Sequence, residues 1–263
     1  MPQSSIAQRV ADIAECQWGM VTTAQARIIG VARANLAHRV RTGVLERTNH
    51  YGVYRFKAVP TSPLDDLRAA WLSTNPEMLA PERTAVSRPD AVIASAAAAT
   101  LHGIGDVYPA PYRIVVVGRR QTTAGAVAYS WRALDSADIE VVDGLPVTTR
   151  ERTVVDLLSD EGDVSIAADA LRDALRGDYN LDQTRLAALL APHAERLGQP
   201  LGDGLGALTY LMVEARVDPV SELSRALERL LGAKAPTPGA EAILSRLGME
   251  MPASLTQQRT IDL

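Results

Sequence analysis

Four glycines, Gly19, Gly30, Gly43 and Gly52, cut the first part of this chain into pieces too short for anything but brief helices and a hairpin. Before Gly19, Ile6, Val10, Ile13 and Ala14 fall on one helical stripe, which predicts a helix from about Ser4 to Gln17. Val21-Thr22-Thr23 then offers an N-cap hydroxyl to a second helix over Ala24 to Ile29, closed by Gly30. A third helix over Ala32 to Thr42 turns Leu36, Ala37 and Val40 to one side and Ala34, Asn35, His38, Arg41 and Thr42 to the other, and Gly43 stops it. Glu46-Arg47-Thr48 and Val53-Tyr54-Arg55-Phe56 read as two strands joined through Asn49-His50-Tyr51-Gly52. Three short helices followed by a basic hairpin make a winged helix-turn-helix.

Charge singles out the same segment. Over the 263 residues the formal net charge is -4, yet residues 1–58 carry eight basic and three acidic side chains, or +5, leaving -9 for the remainder. No carboxylate occurs between Glu15 and Glu46, a stretch that holds Arg27, Arg33, Arg39 and Arg41. A basic module on an acidic body points to a polyanion partner for the module alone. In a winged helix the outer face of the third helix enters the major groove and flanking cations meet phosphates. The candidate base-edge readers are Asn35, His38 and Arg41, with Arg33 and Arg39 beside them and Arg47, His50 and Arg55 in the wing. Thr22 and Thr23 can hold phosphate oxygens or serve only as helix caps; the sequence leaves both open.

Beyond residue 58, Ala58-Val59-Pro60-Thr61-Ser62-Pro63 reads as a linker. A helix from Pro63 through Leu72 ends before Pro76, and Ala91 to His102 reads as an apolar entry into a small-residue helix. Strands are expected at Tyr112 to Val117, Val127 to Trp131 and Ile139 to Val142, with Asp143-Gly144 turning the last into Leu145 to Thr148, before a helix from Arg150 to Leu158. From Asp163 on, helices are expected over 163–176, 181–197, 205–216, 219–232 and 238–247, punctuated by Gly177, Gly198, Pro219 and Pro236. The fold class is α+β, organised as a winged helix-turn-helix (1–58), a central α+β domain (59–162) and an acidic helical C-terminal region (163–263).

Composition excludes several classes. The longest nearly uncharged apolar run, Ala91 to Leu101, is too short for the ~20 residues a membrane span needs, and the first residues lack the basic and apolar regions of a secretory signal. A single cysteine, Cys16, makes neither an internal disulfide nor a thiolate metal cage, so a reducing cytoplasm is the expected setting. Arginine supplies 25 of the 27 basic side chains, as in proteins of GC-rich bacterial genomes.

Two stretches resemble a known family. Trp18-Gly19-Met20-Val21-Thr22-Thr23-Ala24-Gln25-Ala26, with Gly30-Val31-Ala32-Arg33, Leu36, Arg39-Val40, Gly43-Val44-Leu45 and Gly52-Val53-Tyr54, is similar to the N-terminal winged helix of AbiEi-type antitoxins. Gly144-Leu145-Pro146-Val147-Thr148-Thr149 followed by Arg152-Thr153-Val154-Val155-Asp156-Leu157 resembles the second motif of that family. The resemblance covers residues 5 to about 176. It implies an antitoxin of a type IV toxin–antitoxin pair that represses its own operon by binding double-stranded operator DNA, with a nucleotidyltransferase-like toxin as partner. Ala32 stands where the family often has Ser or Thr, so the third helix is expected to start without a side-chain cap. The alternative is a solitary winged-helix regulator whose later domains sense a ligand or oligomerise.

No enzyme is expected. Restriction-like nuclease domains accompany this kind of winged helix in some relatives and need an acid-x-Lys pair, which neither Lys57 nor Lys234 supplies. Nucleotidyltransferase chemistry needs a Gly-Ser turn and paired aspartates; the chain has no Gly-Ser and no Asp-x-Asp. His38, His50, His102 and His193 have no i,i+4 pairing, so no metal and no cofactor are expected. His102 reads as a helix-end or packing residue, Gly202-Asp203-Gly204-Leu205-Gly206 as a helix-entry loop, and Arg152 with Asp156 as a structural i,i+4 pair.

Overall fold

The computed structural model describes residues 6–118, 125–177, 180–220 and 222. The described residues divide into two compact units, one made of those within 6–102 and 108–149, the other of those within 103–107 and 150–222.

The first unit opens with α1 (Ile6–Glu15), β1 (Met20–Thr22), α2 (Thr23–Ile28), α3 (Arg33–Arg41), β2 (Leu45–Arg47) and β3 (Val53–Phe56). The strands form an antiparallel sheet in the order β1-β3-β2, with Val21 opposite Tyr54 and Arg47 opposite Tyr54 on the other side. This is the winged helix, and β1 is the strand its sequence did not announce: three residues are too few for an alternation to register. Val10, Val21, Ala26, Val31, Leu36, Leu45 and Tyr54 make its core.

α4 (Asp65–Thr74), α5 (Ala80–Thr84), β4 (Ala91–Ala94), α6 (Ser95–His102), β5 (Tyr112–Val116), β6 (Val127–Ser130), β7 (Ile139–Val142) and β8 (Leu145–Thr148) complete the unit. The mixed five-stranded sheet runs β6-β5-β4-β8-β7. β4 is antiparallel to β5 and parallel to β8; β7 and β8 are a hairpin whose tip residues Asp143 and Gly144 both have positive φ, 50° and 80°, as a type I′ turn requires. The apolar run at Ala91 is thus a strand feeding a helix directly. One sheet face packs on α4 and α6 through Leu67, Trp71, Ala97, Ile93, Ile114 and Val147, and Met20 and Val53 of the winged helix join the same core.

Arg83 of α5 is completely buried, an unusual place for a cation. It donates to Asp90 Oδ1 at 2.9 Å, to Trp71 O at 3.0 Å and to Thr74 Oγ1 at 2.7 Å, and lies 3.7 Å from the Trp71 ring centroid. The guanidinium therefore caps the carbonyl end of α4 and ties it to the entry of β4.

In the second unit α7 (Arg150–Asp160), α8 (Val164–Arg176), α9 (Gln183–Leu190) and α10 (Gly204–Glu214) pack around Leu157, Leu158, Leu171, Leu186, Leu190, Leu208 and Leu211. The single helix expected over 181–197 is interrupted: α9 stops at Leu190 and residues Ala191–Leu197 wind as a 3-10 segment, because Pro192 has no N–H and its ring crowds the preceding turn. Of the helix expected over 219–232 only 219, 220 and 222 are described, and 238–247 lies outside the described residues.

Candidate nucleic-acid interface

α3 buries Leu36 and half-buries Ala37 and Val40, which leaves Asn35, His38 and Arg41 exposed along its outer side. Arg39 is half-buried on the flank. Ala32 occupies the N-cap in an extended conformation with no side-chain hydrogen bond, as its lack of a hydroxyl dictates. Arg33, exposed on the first turn, places its guanidinium 5.7 Å from the ring centroid of Tyr51 at the wing tip.

That contact joins two elements into one surface. Arg33, Arg47, Thr48, Asn49, His50 and Tyr51 are among the residues around a hollow of about 240 Å³ beside the turn of the wing. Arg47 and Asn49 are exposed, and Tyr51 is 85% exposed. Tyr51 and Asn49 were not singled out from sequence; the signal available was an aromatic at the tip of a turn, where no core exists to receive it. An exposed aromatic beside two arginines suits a sugar-phosphate edge.

Three of the expected site residues face inward instead. Thr22 is fully buried: its Oγ1 accepts from Gln25 N at 3.0 Å and donates to Pro76 O, while Gln25 Oε1 accepts from Thr22 N, a capping box. Arg55, 6% exposed on the central strand, is held by Glu46 Oε1 at 2.6 Å and donates to Val59 O at 2.6 Å. Alternation on β3 turns it toward the segment that follows the wing rather than toward the groove. His50 is 6% exposed, with Nε2 3.4 Å from Asp66 Oδ1 of α4. Thr23 is half-buried, its hydroxyl donating to Gly52 O at 3.2 Å, which pins the wing to α2.

The interface is braced from behind. Gln17 and Gln25, both buried, exchange side-chain amide hydrogen bonds at 2.7 and 3.2 Å. Gln25 also donates to Met78 O at 2.8 Å, and Ala80 N donates to Gln17 Oε1 at 3.3 Å. Asn49 donates to Asp66 at 2.9 Å, and Trp18 meets Trp71 edge to face at 6.2 Å. The segment between α4 and α5 thus fixes the start of α2, the helix that positions α3.

Elsewhere, His102 is buried at the end of α6 with Nε2 2.7 Å from Thr148 O, a packing role. Asp203 caps α10 by accepting from Gly206 N at 2.8 Å, and a Cβ at Gly204 would collide with the carbonyl oxygen of Ala187, so the glycines of that loop serve close helix packing. Arg152 and Asp156 pair at 2.8 Å, but Asp156 is fully buried, so the pair is an internal one rather than a solvated surface contact. Among the described residues, no three His, Cys, Asp or Glu side chains converge as a ligand set for a metal, and no helix is long and apolar enough to cross a membrane.

A three-helix module with a braced outer helix, an attached wing and an α+β body defines a winged-helix regulator. The chain belongs to the AbiEi antitoxin family: residues 8–57 match the family described as transcriptional regulator, AbiEi antitoxin, and residues 90–205 match the AbiEi antitoxin C-terminal domain. Among solved structures it is similar to the RV2827C protein from Mycobacterium tuberculosis, 19% identical over 85% of this chain and 81% of that one with a TM-score of 0.50, a likeness of fold alone. Nothing matches among curated proteins. The chain is an antitoxin of the transcriptional-regulator type.

Proposed function

We infer that this antitoxin binds the operator of its own operon through α3 and the wing, and that it neutralises a nucleotidyltransferase-like toxin encoded with it. The observation that carries the reading is the exposed polar and cationic side of α3 (Asn35, His38, Arg41), continued through Arg33 into the hollow with Arg47 and Tyr51. Asn35, His38 and Arg41 read base edges, Arg33, Arg39 and Arg47 meet phosphates, and Thr22, Arg55 and His50 hold the module in shape. The protein acts by binding rather than by catalysis, in keeping with the regulator and antitoxin families it matches.

Two experiments on the full chain test the reading. In shift assays with the upstream DNA of its operon, log K against log salt gives a slope that falls by about 0.9 for each phosphate the protein no longer neutralises, so Arg47→Glu flattens it while Asn35→Ala narrows the preference for operator over random DNA. In cells, Arg41→Glu with Arg47→Glu, both exposed, abolishes repression of the operon yet still rescues growth against the co-expressed toxin. A chain that represses but never rescues is a solitary regulator, and rescue lost together with repression places toxin control in DNA binding itself.

A further inference from the structure

Tyr51 is 85% exposed, yet the turn that carries it is fastened on both sides. On one side Asn49 Nδ2 donates to Asp66 Oδ1 of α4 at 2.9 Å, and the buried His50 ring lies 3.4 Å from the same oxygen. On the other, Gly52 O accepts from Thr23 N at 2.7 Å and from Thr23 Oγ1 at 3.2 Å. A bulky ring is therefore held out in water on a pinned backbone, outside the core of the module. What it meets there is Arg33, whose guanidinium lies 5.7 Å from the ring centroid. An exposed arginine samples many rotamers, and ordering its stem opposes any contact it makes. A planar guanidinium resting on an aromatic ring is ordered beforehand. Arg33 so held lines the same hollow as Arg47, and among the described residues no carboxylate lines it.

We propose that Tyr51 is a positioning residue for DNA binding: its ring holds Arg33 in the orientation in which Arg33, beside Arg47, meets the phosphate backbone. Tyr51 acts through Arg33 and reads no base itself. This role rests on the DNA-binding reading above and adds to it the one aromatic side chain that reading leaves without a task.

The test is a double-variant cycle on the full chain, read by fluorescence anisotropy with two labelled duplexes of equal length, one from the upstream DNA of the operon and one of random sequence. Tyr51→Ala raises Kd about two- to fivefold, the ratio equivalent to the ~0.5–1 kcal/mol of an exposed cation–π contact. The rise is the same on both duplexes, because a phosphate carries no sequence information. The salt slope stays at the parent's value in Tyr51→Ala, where the arginine charge remains, and falls by about 0.9 in Arg33→Ala. In the Arg33→Ala background Tyr51→Ala has no further effect, and Tyr51→Phe, which keeps the ring, restores the parent's Kd. Thermal midpoints of the single variants match the parent's, since both side chains are exposed, so the loss is one of positioning and not of stability. Tyr51→Phe as weak as Tyr51→Ala, losses that add in the double variant, a loss confined to the operator duplex, or no loss at all overturns the proposal. If Arg33→Ala and Arg47→Glu both leave Kd on the two duplexes at the parent's value, the DNA-binding reading itself falls and this role with it.

Discussion

Arg83 offers a direct test of how α4 is fastened to the entry of β4. Replacing it with methionine preserves most of the stem that lies against Trp71 but removes all three hydrogen bonds, to Asp90, Trp71 O and Thr74. Breaking a buried pair by removing one partner costs about 3–5 kcal/mol when the survivor stays buried. Here Asp90 is 31% exposed and keeps the hydrogen bond from Asn75 at 2.8 Å, so the lower end, about 3 kcal/mol, is expected. For a unit of this size that corresponds to a fall of roughly 6–12 °C in melting temperature. All three tryptophans, Trp18, Trp71 and Trp131, lie in the first unit, so tryptophan emission follows its unfolding selectively. Asp90→Asn alone should cost about 1 kcal/mol, and the double variant scarcely more than Arg83→Met, because the charge interaction can be lost only once. The desolvation cost of the guanidinium opposes all this. If Arg83→Met is as stable as the parent or more so, desolvation outweighs the three bonds and Arg83 is no clamp.

Three further outcomes follow from the geometry. Burial first, then the adjacent Asp66 carboxylate, push the Tyr112 hydroxyl up to about 12, so its neutral form is favoured in the fold. That stability is present below the ordinary value near 10 and is lost as pH rises toward 12; urea midpoints at pH 9 and 11 should therefore differ more for the parent than for Tyr112→Phe. Gly204→Ala forces a methyl group onto the Ala187 carbonyl and should destabilise the second unit by about 1–3 kcal/mol, read by far-UV circular dichroism, while tryptophan emission of the first unit is unchanged. A fragment of residues 1–58 loses the partners of Met20, Val53, Thr22 and Gln25, and should show no cooperative thermal transition, whereas a full chain does.

How much of this was legible depends on the range of the interaction. α3 was read within one residue at each end because Gly30 and Gly43 bound it locally, and the β7–β8 hairpin followed from Asp143-Gly144. α5 escaped notice at five residues, although Pro81 and Glu82 sit where a helix start puts them. The orientation of Thr22 and Arg55 was out of reach for a different reason. Thr22 is buried by Pro76, 54 residues away, and Arg55 by Val59 and Asp65, so neither periodicity nor charge count reveals which cations face water. The exposed side of α3 was readable because its own core residues, Leu36 and Val40, define it.

The matched stretches, 8–57 and 90–205, leave residues 58–89 outside both, yet that interval supplies Pro76 O, Met78 O, Ala80 N, Asp66 and Arg83, the groups that bolt one stretch to the other. For gene fusion and recombination this sets where a viable crossover falls. A chimera spliced at residue 57 would set Thr22 and Gln25 against a foreign strap, whereas one that carries residues 6–89 as a block transfers α3 with its own fastening. Under the proposed function, exchange of DNA specificity between members of such a family travels with a stretch that lies between the two recognisable domains.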